Sequence, residues 1–351
     1  MSHRIERLRA TFDSLGAESF LVSDPVNVNY LTGFDSSNAF VLVKQEQVLV
    51  LTDGRYIEAA RGVEGAEAVL VDREFVLGAA AALPSLAEGP VAFEADDLAY
   101  RRYEGLSAGG LELVPASGVV QELRAVKEPG ELEEIRRAAR ILNEMYERLA
   151  GEQVAGRTER DVAWWIERTL REEGAEALAF DVTVASGPNA AFPHHHTGER
   201  KIAAGETVVV DAGARVDGYC SDCTRTFATG PLPDELRRAY AACRAAQETA
   251  LAEVREGAGA SELDGVARAE IAEAGFEVLH GLGHGVGLEV HELPVLRQTA
   301  EGSLTAGNVV TVEPGVYLPG LGGVRIEDLV VVTKNGAEVL TPFTKELLTL
   351  D

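Results

Sequence analysis

The sequence is poor in the features that mark disulfide-bonded and membrane-spanning proteins. It has three cysteines in 351 residues, so no disulfide framework can use all of them. Cys220 and Cys223 form a C-x-x-C, but in a strand-like stretch residues three apart point to opposite faces, so we do not expect a redox pair. There is no run of about 18 apolar residues, and the first ten residues, MSHRIERLRA, lack an apolar signal core. We therefore expect a soluble, cytoplasmic protein without membrane contact.

Basic residues are also few relative to acidic ones. The chain has 32 Lys and Arg against 57 Asp and Glu, which gives a net charge of -25. A protein with this net charge has a negative electrostatic potential that repels phosphate backbones, so we expect no nucleic-acid partner. Runs such as EPGELEEIRR mix both signs at helical spacing, which indicates that much of this charge lies on solvated helix faces.

Histidine is scarce, yet it is clustered. Six of the seven histidines lie in two short segments, PHHH at 193–196 and HGLGHGVGLEVHE at 280–292. His280 and His284 have the spacing of an H-E-x-x-H metalloprotease helix, but Gly281 stands where the Glu is required. The repeated glycines also disfavour a helix. We expect instead an extended or looped backbone that comes close to another segment.

The length favours two domains rather than one core. Residues 1–122 alternate helix-like segments with the apolar runs SFLVSD, AFVLV, QVLVLT, AEAVLV, GPVAFEAD and LELVPA, a pattern typical of an α/β domain. A long amphipathic helix starting at Pro129 opens the second domain, residues 123–351. There, helices and antiparallel-looking strand pairs alternate in two blocks, which predicts an α+β domain with two related halves.

Four acidic residues interrupt apolar strands of the second domain. Asp211 ends TVVVD, and Asp222 follows at a distance that fits a strand, a turn at VDGY and a return strand. Glu313 precedes Pro314 in VVTVEPG, and Glu327 lies in GGVRIEDLVVV. Each acid alone fits a turn or a salt bridge, but carrying a charge into a buried strand is costly unless it is paired or bound to a metal. Together with the histidine cluster, the four acids indicate a metal site.

With these motifs the chain resembles the creatinase and aminopeptidase P branch of the pita-bread metallopeptidases, which contains the Xaa-Pro dipeptidases (prolidases) and aminopeptidase P. The resemblance extends over SDPVNVNYLTGF, LTDGRY, ASGPNAAFPH, VVVDAGARVDGYCSDCTRTF, HGLGHGVGLEVHE, TVEPGVYLPG and GGVRIEDLVVVT. GHGVG with two aspartates also occurs in methionine aminopeptidases, but the long first domain, His280 and GGVRIED favour the proline branch. The resemblance implies an α+β fold with a C-terminal pita-bread (creatinase/aminopeptidase-like) domain behind a smaller α/β creatinase-type N-terminal domain.

The resemblance also implies a site. Its five metal ligands would be Asp211, Asp222, His284, Glu313 and Glu327. Four carboxylates balance two divalent cations, and oxygen-rich ligation suits Mn²⁺, with Co²⁺ or Zn²⁺ as alternatives. The implied reaction is hydrolysis of the N-terminal Xaa-Pro bond of dipeptides or short oligopeptides by a metal-bridged hydroxide, with Glu313 moving the proton.

Further roles follow from the same resemblance. His194 and His291 would stabilise the tetrahedral intermediate, and His280 would shape the pocket. Tyr317 and Arg325 would lie on the leaving-group side, although Arg325 could instead pair with Asp328 or with a ligand carboxylate.

Several alternatives stay open at this stage. The chain could be a dipeptidase or an aminopeptidase P, a methionine aminopeptidase-like enzyme, or a catalytically silent peptide-binding module on the same fold. Relatives suggest a homodimer in which residues 1–122 serve dimerisation. His195 and His196 have no counterpart in the family pattern, and we expect both in an exposed loop.

Overall fold

A computed structural model describes residues 2–72 and 74–350 of the chain. The chain divides into two units between Arg124 and Ala125. None of the helices within the described ranges combines the length and apolar character that a membrane span needs.

The first unit contains one six-stranded sheet and short helices. Its strands are β1 Ser19–Val22, β2 Ala39–Lys44, β3 Val48–Thr52, β4 Glu67–Leu70, β5 Val91–Glu94 and β6 Leu113–Ala116. Its helices are α1 Ser2–Arg9, α2 Phe12–Leu15, α3 Pro25–Thr32, α4 Ile57–Ala60, α5 Phe75–Leu86, α6 Tyr100–Ala108 and α7 Val119–Ala125. Each of the six apolar runs singled out in the sequence forms one of these strands.

The strand order in this sheet is β4-β3-β2-β1-β5-β6. Strands β1 to β3 form an antiparallel meander, and the remaining pairs β3–β4, β1–β5 and β5–β6 are parallel. Strands β1, β3 and β5 are buried along their whole length. Burial on both faces explains why these strands are continuously apolar rather than alternating.

The second unit contains four longer helices and the remaining strands. The helices are α8 Pro129–Leu149, α9 Glu159–Glu172, α10 Asp234–Glu253 and α11 Ala260–Glu273, and a 3₁₀ turn spans Gly187–Ala191. The first-half strands are β7 Ala177–Leu178, β8 Thr183–Ser186, β9 Thr207–Ala212, β10 Ala214–Val216, β11 Tyr219–Cys220 and β12 Cys223–Ala228. The second-half strands are β13 Gly283–Gly285, β14 Glu292–Leu296, β15 Val309–Val312, β16 Gly315–Leu318, β17 Gly322–Arg325, β18 Asp328–Thr333 and β19 Gly336–Val339.

Local sequence explains where the helices of this unit begin. Pro129 is the first residue of α8, where its missing N–H costs nothing, and Glu131 accepts a hydrogen bond from the backbone N–H of Glu128 at 2.8 Å. Thr158 caps α9 by accepting from the N–H of Asp161 at 3.0 Å. The apolar side chains that recur along one face of α8 from Ile135 onwards are buried, as their helical 3.6-residue period predicts.

The two halves of the second unit have separate hydrophobic cores. In the first half, α8 and α9 pack with the antiparallel sheet β12-β9-β8. In the second half, α10 and α11 pack with β15 and β18 of the sheet β14-β13-β15-β18-β19 and with the β16–β17 ribbon. The candidate site draws side chains from the strands of both halves.

Candidate metal centre

The antiparallel pair β9–β12 brings Asp211 and Asp222 into one region. Asp211 lies opposite Thr224 in the register, and Asp222 immediately precedes β12. Between the two acids, β10 and β11 are joined through Asp217 and Gly218, which both have positive φ. This geometry is that of a two-residue hairpin turn, as the VDGY segment predicts.

The glycine-rich histidine segment forms the short strand β13 and not a helix. An added Cβ at Gly283 would lie 2.1 Å from the carbonyl oxygen of Thr311, and one at Gly285 would lie 2.1 Å from that of Leu293. Only glycine permits such close approach of β13 to both neighbours. The expectation of a closely approaching, extended backbone is therefore confirmed, and His284 is held between these two positions.

His284 presents one ring nitrogen to the acidic residues. Its Nδ1 lies 3.1 Å from the carbonyl oxygen of Gly285, which can only accept, so Nδ1 carries a proton. Nε2 lies 3.2 Å from Oε1 of Glu313 and 3.7 Å from Oδ2 of Asp222. In its neutral form His284 therefore turns an Nε2 lone pair towards the carboxylates, as a metal-ligating histidine does.

Two threonine hydroxyls orient the glutamates. Thr224 Oγ1 donates to Oε2 of Glu327 at 2.7 Å, and Thr311 Oγ1 lies 3.1 Å from Oε1 of Glu313. Thr311 Oγ1 also accepts from the backbone N–H of His284 at 3.0 Å. Each threonine makes one hydrogen bond to one oxygen of its glutamate. The hydroxyl therefore orients the carboxylate and leaves other lone pairs of that carboxylate available to a cation.

The donor set fits divalent cations. One ligand atom each of Asp222, His284 and Glu327 lies within 4.8 Å of the others. Within the described residues, Oδ1 of Asp211 and Oε1 of Glu327 are buried atoms without a hydrogen-bond partner. Buried oxygens rarely lack partners, and oxygen atoms with one imidazole suit a hard or borderline cation.

The titration behaviour of the acids supports the same fit. Burial raises the pKa of Asp222 well above its usual range, and repulsion from Glu327 and Asp211 adds to this. Burial and repulsion from Glu313 likewise raise the pKa of Glu327. Clustered carboxylates that repel one another in a buried site are stabilised when cations bind between them.

Asp211 is paired with Arg325. Nη2 of Arg325 donates to Oδ2 of Asp211 at 2.6 Å, and its Nε donates to Thr224 Oγ1 at 3.0 Å. Asp328 does not pair with Arg325: it accepts from the buried Arg225 at 2.7 Å. The sequence allowed Arg325 to pair with a ligand carboxylate or with Asp328. The structure shows the pair with the ligand carboxylate of Asp211, and the pairing with Asp328 is wrong.

A hydrogen-bonded chain runs from Arg325 to His280. Nη1 of Arg325 donates to the Tyr317 hydroxyl at 3.2 Å, and that hydroxyl lies 2.8 Å from Nε2 of His280. His280 Nδ1 lies 2.8 Å from the carbonyl oxygen of Gly281 and so carries the proton. Burial lowers the pKa of His280 and raises that of Tyr317 to about 12, so the Tyr317 hydroxyl donates to a neutral imidazole.

The remaining predicted histidines lie at the open side of the site. The ring of His291 packs edge-on against that of His284, with centroids 4.4 Å apart, and burial lowers the pKa of His291. His194 is exposed, and the carbonyl oxygen of the preceding Pro193 accepts from Nη1 of Arg325 at 3.2 Å. The structure thus places all ten predicted site residues in the second unit, with His194 and His291 the most open to solvent.

One expectation about the histidine cluster is wrong. His196 is exposed as expected, but the side chain of His195 is only 15% exposed, and its Nε2 lies 3.0 Å from Oε2 of Glu159. Glu159 is fully buried at the start of α9. The interaction spans 36 positions in the chain, so only the tertiary fold could reveal it.

Sequence reasoning also missed the two orienting threonines. Thr224 lies two residues after Asp222, and Thr311 lies two residues before Glu313. Residues two apart on a strand point to the same face, so a polar residue at these spacings in an apolar strand is the signal that could have identified them.

Comparisons with known proteins agree with this architecture. Residues 133–334 match Metallopeptidase family M24, and residues 4–126 match the Creatinase/Prolidase N-terminal domain. An Xaa-Pro dipeptidase from Pyrococcus furiosus is 34% identical over 358 residues, covering 99% of this chain and 100% of that protein.

Solved structures show the same similarity. The structure of an Xaa-Pro dipeptidase from Bacillus anthracis has a TM-score of 0.96 at 36% identity, and that of an X-Pro aminopeptidase from Thermotoga maritima has 0.88 at 33%. Each comparison covers 99% of both chains. The expected fold, a creatinase-type N-terminal domain followed by a pita-bread domain, is confirmed, as is the expected enzyme class. The chain therefore belongs to metallopeptidase family M24.

Proposed function

We propose that this protein is an Xaa-Pro peptidase that hydrolyses the N-terminal Xaa-Pro bond of dipeptides or short oligopeptides. The observation that carries the proposal is the convergence of His284, Asp222, Glu313 and Glu327 on one region, with Arg325 and Tyr317 beside it. The relatives and solved structures that bear the names Xaa-Pro dipeptidase and X-Pro aminopeptidase support the substrate class.

Asp211, Asp222, His284, Glu313 and Glu327 would hold two divalent cations, with Mn²⁺ the expected ion. When bound, the cations would supply Lewis acidity towards the scissile carbonyl and the attacking water. The four negative charges of the carboxylates balance the four positive charges of two divalent cations. Oδ1 of Asp211 and Oε1 of Glu327, which have no hydrogen-bond partner in the described residues, are available as ligands.

Glu313 is the proposed proton carrier. Burial raises its pKa, but the hydrogen bond and charge of His284 outweigh this effect and bring the pKa to about 2. This value belongs to the metal-free site, where His284 is charged. Glu313 would likewise stay ionised beside bound cations, and its carboxylate takes a proton from the attacking water. It returns that proton to the proline nitrogen as the C–N bond breaks.

The surrounding side chains bind and orient the peptide. His291, whose lowered pKa keeps it neutral, and His194 donate hydrogen bonds to the oxygen on the tetrahedral carbon. Tyr317 and Arg325 lie on the leaving-group side, and the neutral His280 holds the Tyr317 hydroxyl in place. The nitrogen of an Xaa-Pro bond has no N–H and cannot donate a hydrogen bond. Recognition therefore depends on a pocket that fits the proline ring.

Two peptides test the proposal and decide between the two activities. Proline release from Leu-Pro and leucine release from Leu-Pro-Pro are measured with added Mn²⁺, beside the variant Glu313→Gln. Cleavage of the dipeptide alone identifies a dipeptidase, and preference for the tripeptide identifies an aminopeptidase. Glu313→Gln should lose on the order of 10²-fold or more of the activity. No metal-dependent cleavage of either peptide would favour the silent peptide-binding module.

We also propose that the protein is a homodimer in which the first domain, residues 1–122, serves dimerisation. The idea comes from the resemblance to the family, whose N-terminal domain matches residues 4–126 of this chain. Light scattering measures the molar mass of the protein in solution. A monomeric mass at the assay concentration would contradict the homodimer.

A further inference from the structure

A buried carboxylate holds the loop that carries His194. Glu159, at the start of α9, has a fully buried side chain. Its Oε1 accepts from the backbone N–H of Ser186 at 2.8 Å, from the Ser186 hydroxyl at 2.7 Å and from the side-chain amide of Asn189 at 3.0 Å. Its Oε2 accepts from the same amide at 3.1 Å and from Nε2 of His195 at 3.0 Å.

These donors lie along one segment, residues 186–195, which leads from β8 through the 3₁₀ turn to the three consecutive histidines. Glu159 therefore contacts the beginning, the middle and the end of the segment. Hydrogen bonds to an ionised acceptor are about twice as strong as neutral ones, so the shared carboxylate fixes the segment more firmly than local turns would.

The three histidines differ in direction. His194 and His196 are exposed, whereas His195 between them is turned inwards to Glu159. The exposed side chains of His194 and His196 lie outside the hydrogen bonds that Glu159 makes. On the other side of His194, the carbonyl oxygen of Pro193 is held by Arg325. His194 is thus anchored at both adjacent residues, although no hydrogen bond to its own ring is seen in the described part of the chain.

We propose that Glu159 and His195 are positioning residues that set the direction of His194 towards the substrate. The inference rests on the proposed function, because it assumes that His194 contacts the peptide. Neither residue contacts the predicted metal ligands. Their effect should therefore appear in substrate binding and turnover, while bound metal stays unchanged.

The kinetic test compares His195→Ala, His195→Gln and His196→Ala. His195→Ala should lower kcat/KM for Leu-Pro by on the order of tenfold to a hundredfold, because small misplacements of a binding group are costly. His195→Gln keeps an N–H donor and should recover most of this loss. His196→Ala, at the exposed neighbour, should stay within about twofold of the wild type. Equal effects of the two alanine variants would overturn the proposal.

A double-mutant cycle separates positioning from general damage. If His195 acts through His194, then adding His195→Ala to His194→Ala should change kcat/KM by less than about twofold. Metal content, measured for every variant, should match the wild type within error, and thermal unfolding should show that every variant is fully folded at the assay temperature. An undiminished effect of His195→Ala in the His194→Ala background would contradict the proposal.

A measurement without substrate keeps this inference separate from the proposed function. The imidazole Cε1–H signal of His194, assigned with His194→Ala, should move in Glu159→Gln. It should not move in Glu172→Gln, a control at the exposed far end of the same helix. If the wild type lacks Xaa-Pro activity, the proposed function fails while this spectrum still reports on His194. An unmoved His194 signal in Glu159→Gln would overturn the positioning role whatever the activity is.

Discussion

Nε2 of His284 lies 3.2 Å from Oε1 of Glu313. Burial lowers the pKa of His284, but the hydrogen bond and charge of Glu313 outweigh it and raise the pKa to about 9. Without metal, the two residues therefore form an ion pair at neutral pH. A metal ligand must be a neutral imidazole, so cation binding has to expel the proton that this pair retains.

Metal binding should release protons. At pH 7 the pKa of His284, which is raised to about 9, keeps a proton on the metal-free site, and the raised pKa values of Asp222 and Glu327 act in the same direction. Titration calorimetry with Mn²⁺ in two buffers of different ionisation enthalpy should give a release of at least about one proton per protein. Because the protons compete with the metal, affinity should rise as the pH rises towards 9. Identical heats in both buffers would argue against the assigned ligands.

Chelation should destabilise the second unit. Cations that bind only the folded state stabilise it by about 2.7 kcal/mol when the free ion is at 100 times its Kd, which corresponds to roughly 5 °C or more for a unit of this size. The thermal midpoint should therefore fall on treatment with a chelator. In Asp222→Asn the chelator should have little effect. Equal midpoints of the metal-loaded and stripped wild type would count against the site.

The buried ion pair beside His291 should be important for stability. Nζ of Lys127 lies 2.8 Å from Oε2 of Glu292, and the two side chains are 1% and 3% exposed. Lys127→Met removes one partner of this buried ion pair and should lower the free energy of unfolding by about 3–5 kcal/mol. Arg136 pairs with Glu338 at the surface, so Arg136→Met should cost only about 0–1 kcal/mol. Urea denaturation compares the two variants, and equal losses would contradict the argument.

The acid sensitivity of the fold should depend partly on Glu159. Burial raises its pKa, but hydrogen bonds from Ser186, His195 and Asn189 bring the pKa below the usual 4.5. The ionised carboxylate therefore stabilises the fold fully above pH 4.5, and this contribution is lost as the pH falls through the folded-state pKa. The difference in unfolding free energy between the wild type and Glu159→Gln should stay constant above about pH 5.5 and shrink as the pH falls below 4.5. A constant difference would show that the charge of Glu159 is not involved.

Strand patterns were well predicted from the sequence because they depend on local periodicity. All six apolar runs of the first unit form strands, and Gly283 and Gly285 allow the close approach expected of them. The placement of Asp211 and Asp222 on paired strands also followed from a turn and a spacing. These features are set by neighbours in the chain, so a single sequence carries them.

Side-chain pairings between distant segments were not predictable in the same way. Arg325 could have paired with Asp328, three residues away, but strand pairing brings Asp211 to Arg325 and Arg225 to Asp328. His195 looked like an exposed loop residue because nothing near it in sequence is a buried acid. These pairings depend on which distant segments the tertiary fold brings together, and short-range sequence patterns do not contain that information.

The central claim is that the five predicted ligands hold cations on which Xaa-Pro hydrolysis depends. The most direct test strips the protein of metal, adds Mn²⁺ in steps, and measures bound metal and proline release from Leu-Pro on the same samples. The account predicts no activity in the stripped protein, activity that rises with bound metal up to two ions per chain, and no recovery in Asp222→Asn. Hydrolysis that survives stripping, or full activity in Asp222→Asn, would contradict it.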